Sequence, residues 1–176
     1  VPVQQVVEQI KALRDKYQCR HFLFSDESYP PALFKKVSQL LVDQQVGIKW
    51  TTLIRFEETL QDQATWDLAA QAGCCTLYYG MESASERVLK LMDKHAKKSV
   101  VQRNLNMASK AGRWNHVMAF HGFPGETLDE ALETRQFVLE TQPGIHSMAL
   151  FYCVASRPPP RVPDPAAFRI TTPHQQ

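Results

Sequence analysis

The chain has 176 residues, enough for one domain with a sizeable core. Hydrophobic residues make up 44% and charged residues 22%, a balance that excludes a disordered or fibrous chain. A formal net charge of +2 gives no electrostatic footprint for nucleic acid or an anionic membrane, and no run reaches the ~18 apolar residues of a membrane span.

Residues Val3 to Tyr17 have an amphipathic helical period, with Val6, Val7, Ile10, Leu13 and Tyr17 on one stripe. Arg20 to Ser25 reads as a short strand that ends at Asp26-Glu27-Ser28. Pro30 and Pro31 suit the first turn of a helix expected from Ala32 to Gln45. A second strand is expected over Ile48 to Ile54, ended by Arg55. Gln63 to Ala72 follows as a helix, with Gly73 as its stop. Cys74 to Tyr79 is the third strand, and Glu86 to Lys94 a short helix. Ser99 and Gln102 have the spacing of a capping box for the next helix, which ends at Gly112. Trp114 to Phe120 is the fourth strand, Leu128 to Glu140 a helix, and His146 to Val154 the fifth strand. Beyond Ser156 prolines dominate, so residues 157–176 are expected to be an extended tail or linker.

Strands separated by helical crossovers imply a parallel sheet in an α/β fold. A closed (β/α)8 barrel typically needs ~250 residues, so the chain suits an open sheet or part of a barrel. In such folds ligands sit at the C-terminal strand ends. Those ends carry Ser25-Asp26-Glu27, Arg55, Gly80 with Glu82 and Ser83, and the Gly122–Gly125 turn. Two of them share one design. Tyr78-Tyr79-Gly80-Met81-Glu82-Ser83 and Phe120-His121-Gly122-Phe123-Pro124-Gly125-Glu126-Thr127 each close an apolar run and open a helix. Each offers a capping box, Ser83 with Glu86 and Thr127 with Glu130. Glycines there allow close approach to a ligand, and a helix N-terminus offers free N–H donors.

Asp26 and Glu27 can hold a ligand ammonium group or cap the helix behind Pro31. Arg55 can pair with a ligand oxygen or with Glu57 or Glu58. Glu82 can accept two ribose hydroxyls or answer a helix dipole. Lys94 can return to the site or remain solvated. Cys19, Cys74, Cys75 and Cys153 show no metal-binding spacing and read as reduced, mostly buried thiols. No secretory signal opens the chain, and a cytoplasmic protein is expected. The first residue is Val1 rather than Met, as in a trimmed or excerpted chain.

In this order the Ser25-Asp26-Glu27 segment, the Gly80-Met81-Glu82-Ser83 turn, Leu89-Lys90-Leu91-Met92-Asp93-Lys94 and the Gly122-Phe123-Pro124-Gly125-Glu126-Thr127 turn resemble the radical S-adenosylmethionine (radical SAM) superfamily. The resemblance covers about Val3 to Ser156. It is strongest to the branch whose members often carry a cobalamin-binding domain and include methyltransferases. It implies a partial, TIM-like (β/α)6 barrel of parallel strands, with SAM lying across the C-terminal strand ends. By position, Ser25, Asp26 and Glu27 would meet the methionine amino group. Arg55 and Glu82 would contact the amino acid or ribose part, with Gly80 and Ser83 in the same turn. Lys94 would pair with the methionine carboxylate. Phe120 and the turn of Gly122, Phe123, Pro124 and Gly125 would back the adenine.

The family holds a 4Fe–4S cluster on CxxxCxxC after its first strand, and this sequence has no such motif. The resemblance therefore implies a core domain, residues 1–156, that lacks that strand and its cluster loop. A full-length parent would use SAM and the cluster, with cobalamin as a further candidate cofactor, a small-molecule substrate and an electron donor such as flavodoxin or ferredoxin. The chain alone is expected to be inactive and to bind none of these tightly. The alternative is a degenerate, non-catalytic barrel domain that serves as a binding module. An unrelated metal-free lyase or aldolase would want a lysine at a strand end, and none of the five strands ends in one.

Overall fold

The computed structural model describes residues 2–94 and 96–153, with the backbone alone at residues 26–28. The expected tail at 157–176 lies outside the described residues. Among the described residues, six α-helices and five strands follow one another in the expected order. They are α1 (Val3–Tyr17), β1 (His21–Tyr29), α2 (Pro31–Asp43), β2 (Lys49–Ile54), α3 (Gln63–Gln71) and β3 (Cys74–Glu82). Then come α4 (Glu86–Leu91), α5 (Lys98–Lys110), β4 (Trp114–His121), α6 (Leu128–Glu140) and β5 (Ser147–Tyr152).

The five strands form one sheet in the order β1-β2-β3-β4-β5, and every pair is parallel. Each crossover steps one strand in the same direction, and connections of the usual right hand then keep the helices on one face. This is the winding of a barrel rather than of a doubly wound sheet, and it agrees with the partial TIM-like barrel.

Alternation along each strand divides the two faces. Trp50, Thr52 and Ile54 of β2 lie beside Leu77 and Tyr79 of β3, and all five are buried under the helices. Trp50 stacks on Phe24 at 4.9 Å and meets the edge of Phe34 at 5.6 Å. Its indole N–H donates to the Ala72 carbonyl at 3.0 Å, so its one polar atom is satisfied inside the core. Trp66 does the same toward the Leu60 carbonyl at 3.0 Å, while Trp114 lies half-exposed on the sheet.

Several boundaries depart from the sequence reading. β1 runs on to Tyr29 through a register break between Phe24 and Tyr29, so Asp26-Glu27-Ser28 lies within the strand rather than ending it. β3 continues past Tyr79 to Glu82. Lys97, with no side-chain cap bond, precedes α5, so the Ser99–Gln102 capping box does not form. Gly73, at φ +86, ends α3 as expected.

Candidate functional site

Strand pairing sets the site. Ile54 pairs with Tyr79, Gly80 with Met118 and Glu82 with Ala119. The C-terminal ends of β2, β3 and β4 therefore lie side by side, carrying Arg55, the Gly80–Glu82 segment and the Gly122–Gly125 turn.

The break in register between Gly80 and Glu82 is a bulge. It places Glu82 at φ 63, a left-handed conformation that L side chains resist. The Glu82 side chain folds back over Gly80. A Cβ at position 80 would come within 2.7 Å of Glu82 Oε1, so glycine is what leaves room for the carboxylate. Lys94 Nζ lies 3.5 Å from the same oxygen, and the Glu82 side chain is only 15% exposed. A carboxylate and an ammonium group thus meet at the mouth of the strand ends, joined by one long ion pair.

At the end of β4, Gly122 (φ +72) and Gly125 (φ +87) both take left-handed conformations. The Gly122 N–H donates to Glu126 Oε2 at 2.6 Å, and Glu126 N–H donates to the Phe123 carbonyl at 2.8 Å. The turn is closed by its own residues, which leaves the edges of Phe123 and Pro124 half-buried beside it. Phe120 is half-buried, with its ring 5.5 Å from that of Phe151. His121 stacks on Tyr152 at 4.5 Å.

Ser83 sits beneath its turn rather than at the rim. It is 2% exposed, with its Oγ 3.1 Å from Thr134 Oγ1 and accepting the Ser85 N–H at 3.1 Å. The expected Ser83–Glu86 capping box is replaced by Ser85, whose hydroxyl accepts from Val88 N–H. The left-handed Glu82 and the turn closed by Ser83 N–H on the Met81 carbonyl move the helix start two residues along. The Thr127–Glu130 capping box is present in full.

Arg55 is exposed, and among the described residues it forms no ion pair with Glu57 or Glu58; Glu58 is engaged by Lys97 at 3.0 Å. Ser25 is exposed in β1. The side chains of Asp26 and Glu27 lie outside the described residues, and their backbone falls in the irregular stretch beside the end of β2. Sequence reasoning missed Arg87, Thr134 and the second role of Glu130. The Arg87 guanidinium holds Glu130 bidentately, at 2.7 Å from Nε and 2.6 Å from Nη2. That guanidinium, with the Thr127 N–H and the Thr127 and Ser85 hydroxyls, holds the Glu130 carboxyl well below the usual carboxylate range.

These residues bring a carboxylate, the cations Lys94 and Arg55 and a self-closed glycine turn beside an aromatic ring to one row of strand ends. They do not fit an iron–sulfur cluster, which needs several thiolates on one loop. Among the described residues no group of three His, Cys, Asp or Glu side chains could hold a metal. All four cysteines are free. Burial pushes the Cys74 thiol up, with the neighbouring Cys75 adding to it, and burial with Glu126 nearby raises Cys153.

Known proteins resemble the chain in sequence and in fold. The chain is 28% identical over 139 residues to an uncharacterized methyltransferase of Pyrococcus horikoshii, covering 77% of this chain and 29% of that protein. It is 25% identical over 156 residues to the cytidylyl-2-hydroxyethylphosphonate methyltransferase of Streptomyces wedmorensis, covering 85% of this chain and 29% of that protein. The chain thus spans under a third of the length of either relative. Its fold is that of the radical S-adenosylmethionine methyltransferase TsrM of Kitasatospora setae, whose structure has cobalamin and a [4Fe–4S] cluster bound. That likeness has a TM-score of 0.77 at 15% identity, over 88% of this chain and 31% of that one. Residues 1–138 match the profile of the radical SAM superfamily, and the chain belongs to that superfamily.

Proposed function

We propose that these residues are the SAM-binding core of a radical SAM methyltransferase of the cobalamin-associated branch. The observation that carries this reading is Glu82, held in a left-handed conformation over Gly80 and paired with Lys94 at the strand ends. Backbone strain of this kind, on the order of 1–3 kcal/mol, persists where a site needs it. The names of both methyltransferase relatives support the reaction class.

In this reading the Glu82 carboxylate accepts the ribose hydroxyls, with Gly80 and Ser83 shaping its turn. Lys94 turns from Glu82 to the methionine carboxylate. Arg55, one strand over, contacts the amino acid or ribose part, and Ser25, Asp26 and Glu27 take the ammonium group. Phe120 and the turn of Gly122, Phe123, Pro124 and Gly125 back the adenine. In the whole protein the proposed reaction is reductive SAM cleavage to methionine and a 5′-deoxyadenosyl radical that takes a hydrogen atom from a small-molecule substrate; cobalamin, when bound, would supply the methyl group that bonds at the carbon so opened. Radical SAM chemistry needs one electron delivered from a cluster whose thiolates these residues do not supply. The chain alone is therefore proposed to bind SAM weakly and not to cleave it, so flavodoxin or ferredoxin finds no electron acceptor on it. A cytoplasmic setting is proposed with it; among the described residues no helix is long and apolar enough to cross a membrane.

Saturation-transfer NMR with SAM on the 176-residue chain tests the site. We expect saturation at the adenine and ribose protons, diminished at least tenfold by Glu82→Gln (roughly, for one charge-assisted contact) and unchanged by Glu58→Gln. Absence of any transfer would sink the SAM reading. It would leave the second one, a non-catalytic barrel domain, which the lack of cluster thiolates in these residues favours.

A further inference from the structure

The two glycine-bearing turns are cross-linked by side chains of the helices behind them. The Glu130 carboxylate of α6 accepts from Arg87 of α4 and from the Ser85 hydroxyl at 3.1 Å. The same carboxylate accepts the Thr127 N–H and hydroxyl, both at 2.9 Å. One turn along α6, the Thr134 hydroxyl accepts the Ala84 N–H at 3.0 Å and lies 3.1 Å from Ser83 Oγ. In the return direction, Arg87 Nη2 donates to the Gly125 carbonyl at 2.5 Å. The helix after the second turn thus holds the first turn, and the helix after the first turn holds the second.

A lone exposed Arg–Glu pair contributes little to stability. Arg87 is 53% exposed. The bonds are specific where packing is not: a bidentate fork fixes angle as well as distance, and the third contact ties that fork to the glycine turn. Site groups work only when held to within ~0.5 Å, and they owe that to the residues behind them.

We propose that Arg87 and Glu130 are positioning residues, a reciprocal clamp that sets the Gly80–Ser83 turn and the Gly122–Gly125 turn in one geometry, so that a nucleoside spanning them meets Glu82 and the glycine turn together. This rests on the SAM-site reading for the identity of the ligand; the coupling of the turns does not.

The experiment has two arms. Amide hydrogen exchange is followed on the ligand-free 176-residue chain, in wild type, Arg87→Lys, Glu130→Gln and the double variant. Arg87→Lys keeps the charge and loses the fork, so a folding failure is not expected. Each single variant should speed exchange roughly tenfold in both turns, over and above any change shared with the strand amides of β2 and β3. S-adenosylhomocysteine affinity is then measured on the same four proteins. Each single loss should be similar, and the double variant no worse than either single, because one coupled unit is removed once. Exchange that rises only in the turn carrying the substitution overturns the clamp, as do additive affinity losses or unchanged affinity. Failure of wild type to bind S-adenosylhomocysteine overturns the SAM reading and the ligand role, while the exchange arm still decides whether the turns are coupled.

Discussion

Position 80 and the Glu82 carboxylate compete for one small space, and that competition separates stability from binding. Gly80→Ala puts a methyl 2.7 Å from Glu82 Oε1, the far end of a flexible side chain that can swing away. The methyl also removes freedom from the unfolded chain, worth ~0.4–1 kcal/mol. The melting temperature should therefore hold or rise slightly while SAM binding falls; a loss of both would contradict the assignment. At Gly73 the same substitution has the opposite character. There a Cβ would lie 2.0 Å from the Ile48 carbonyl oxygen at φ +86, and backbone cannot swing away. Gly73→Ala should cost at least about 3 kcal/mol in denaturant unfolding. Next to the site, Tyr79 is fully buried, and its hydroxyl has no partner among the described residues. Tyr79→Phe removes an unsatisfied polar group and keeps the ring stacked on Phe56 at 4.6 Å. A gain of up to about 1 kcal/mol is expected by urea titration, and a loss would reveal a hidden partner.

At the scale of elements, α6 is where charge and fold are linked. Glu130 lies below its ordinary carboxyl value because of Arg87 first and Thr127 next. A group depressed in the folded state contributes stability above its unfolded value of about 4.5, and that contribution is lost as pH falls toward the lower folded value. Glu130→Gln should therefore melt earlier than wild type at neutral pH, with the gap closing only below about pH 4.5. A gap that stays constant from pH 7 to strong acid would refute the linkage. These element ends also show what the sequence could carry. The bounds of α1 are legible from its apolar stripe between Val3 and Tyr17, and the start of α6 from the Thr127–Glu130 capping box. β1 and β3 outrun their apolar signal, because pairing continues through bulges at residues with polar side chains. Ser83 and Glu86 have the spacing of a cap, yet the left-handed residue before Ser83 hands that role to Ser85. Glu82 and Lys94, 3.5 Å apart in the fold, stand out in the sequence only through the order of motifs around them. The Arg87–Glu130 contact joins residues 43 apart, and no local pattern encodes it.

At the scale of the molecule, the one-sided winding leaves, among the described residues, a sheet face without helices. A groove of about 480 Å³ runs along it, between His21, Leu23, Thr51, Leu53, Cys75 and Tyr78. Leu23 is 63% exposed there, and Leu150, Phe151 and Tyr152 are exposed on β5, an edge strand among those described. Exposed apolar surface of this kind should bind an environment-sensitive dye while the near-ultraviolet signal stays native. Leu23→Lys should reduce the fluorescence without lowering the melting temperature. A wild-type chain that leaves the dye dark would mean the face is covered in solution.

The bulge at Glu82 has a consequence for how the sequence would change under selection. Glycine or asparagine accepts φ 63 with less strain than glutamate, by about 1 kcal/mol. Selection for foldedness alone would thus push this position away from a carboxylate, while selection for ligand use would push it back. A library randomised at residue 82 and sorted first by expression level, then by SAM retention, should yield two different winners from the same pool.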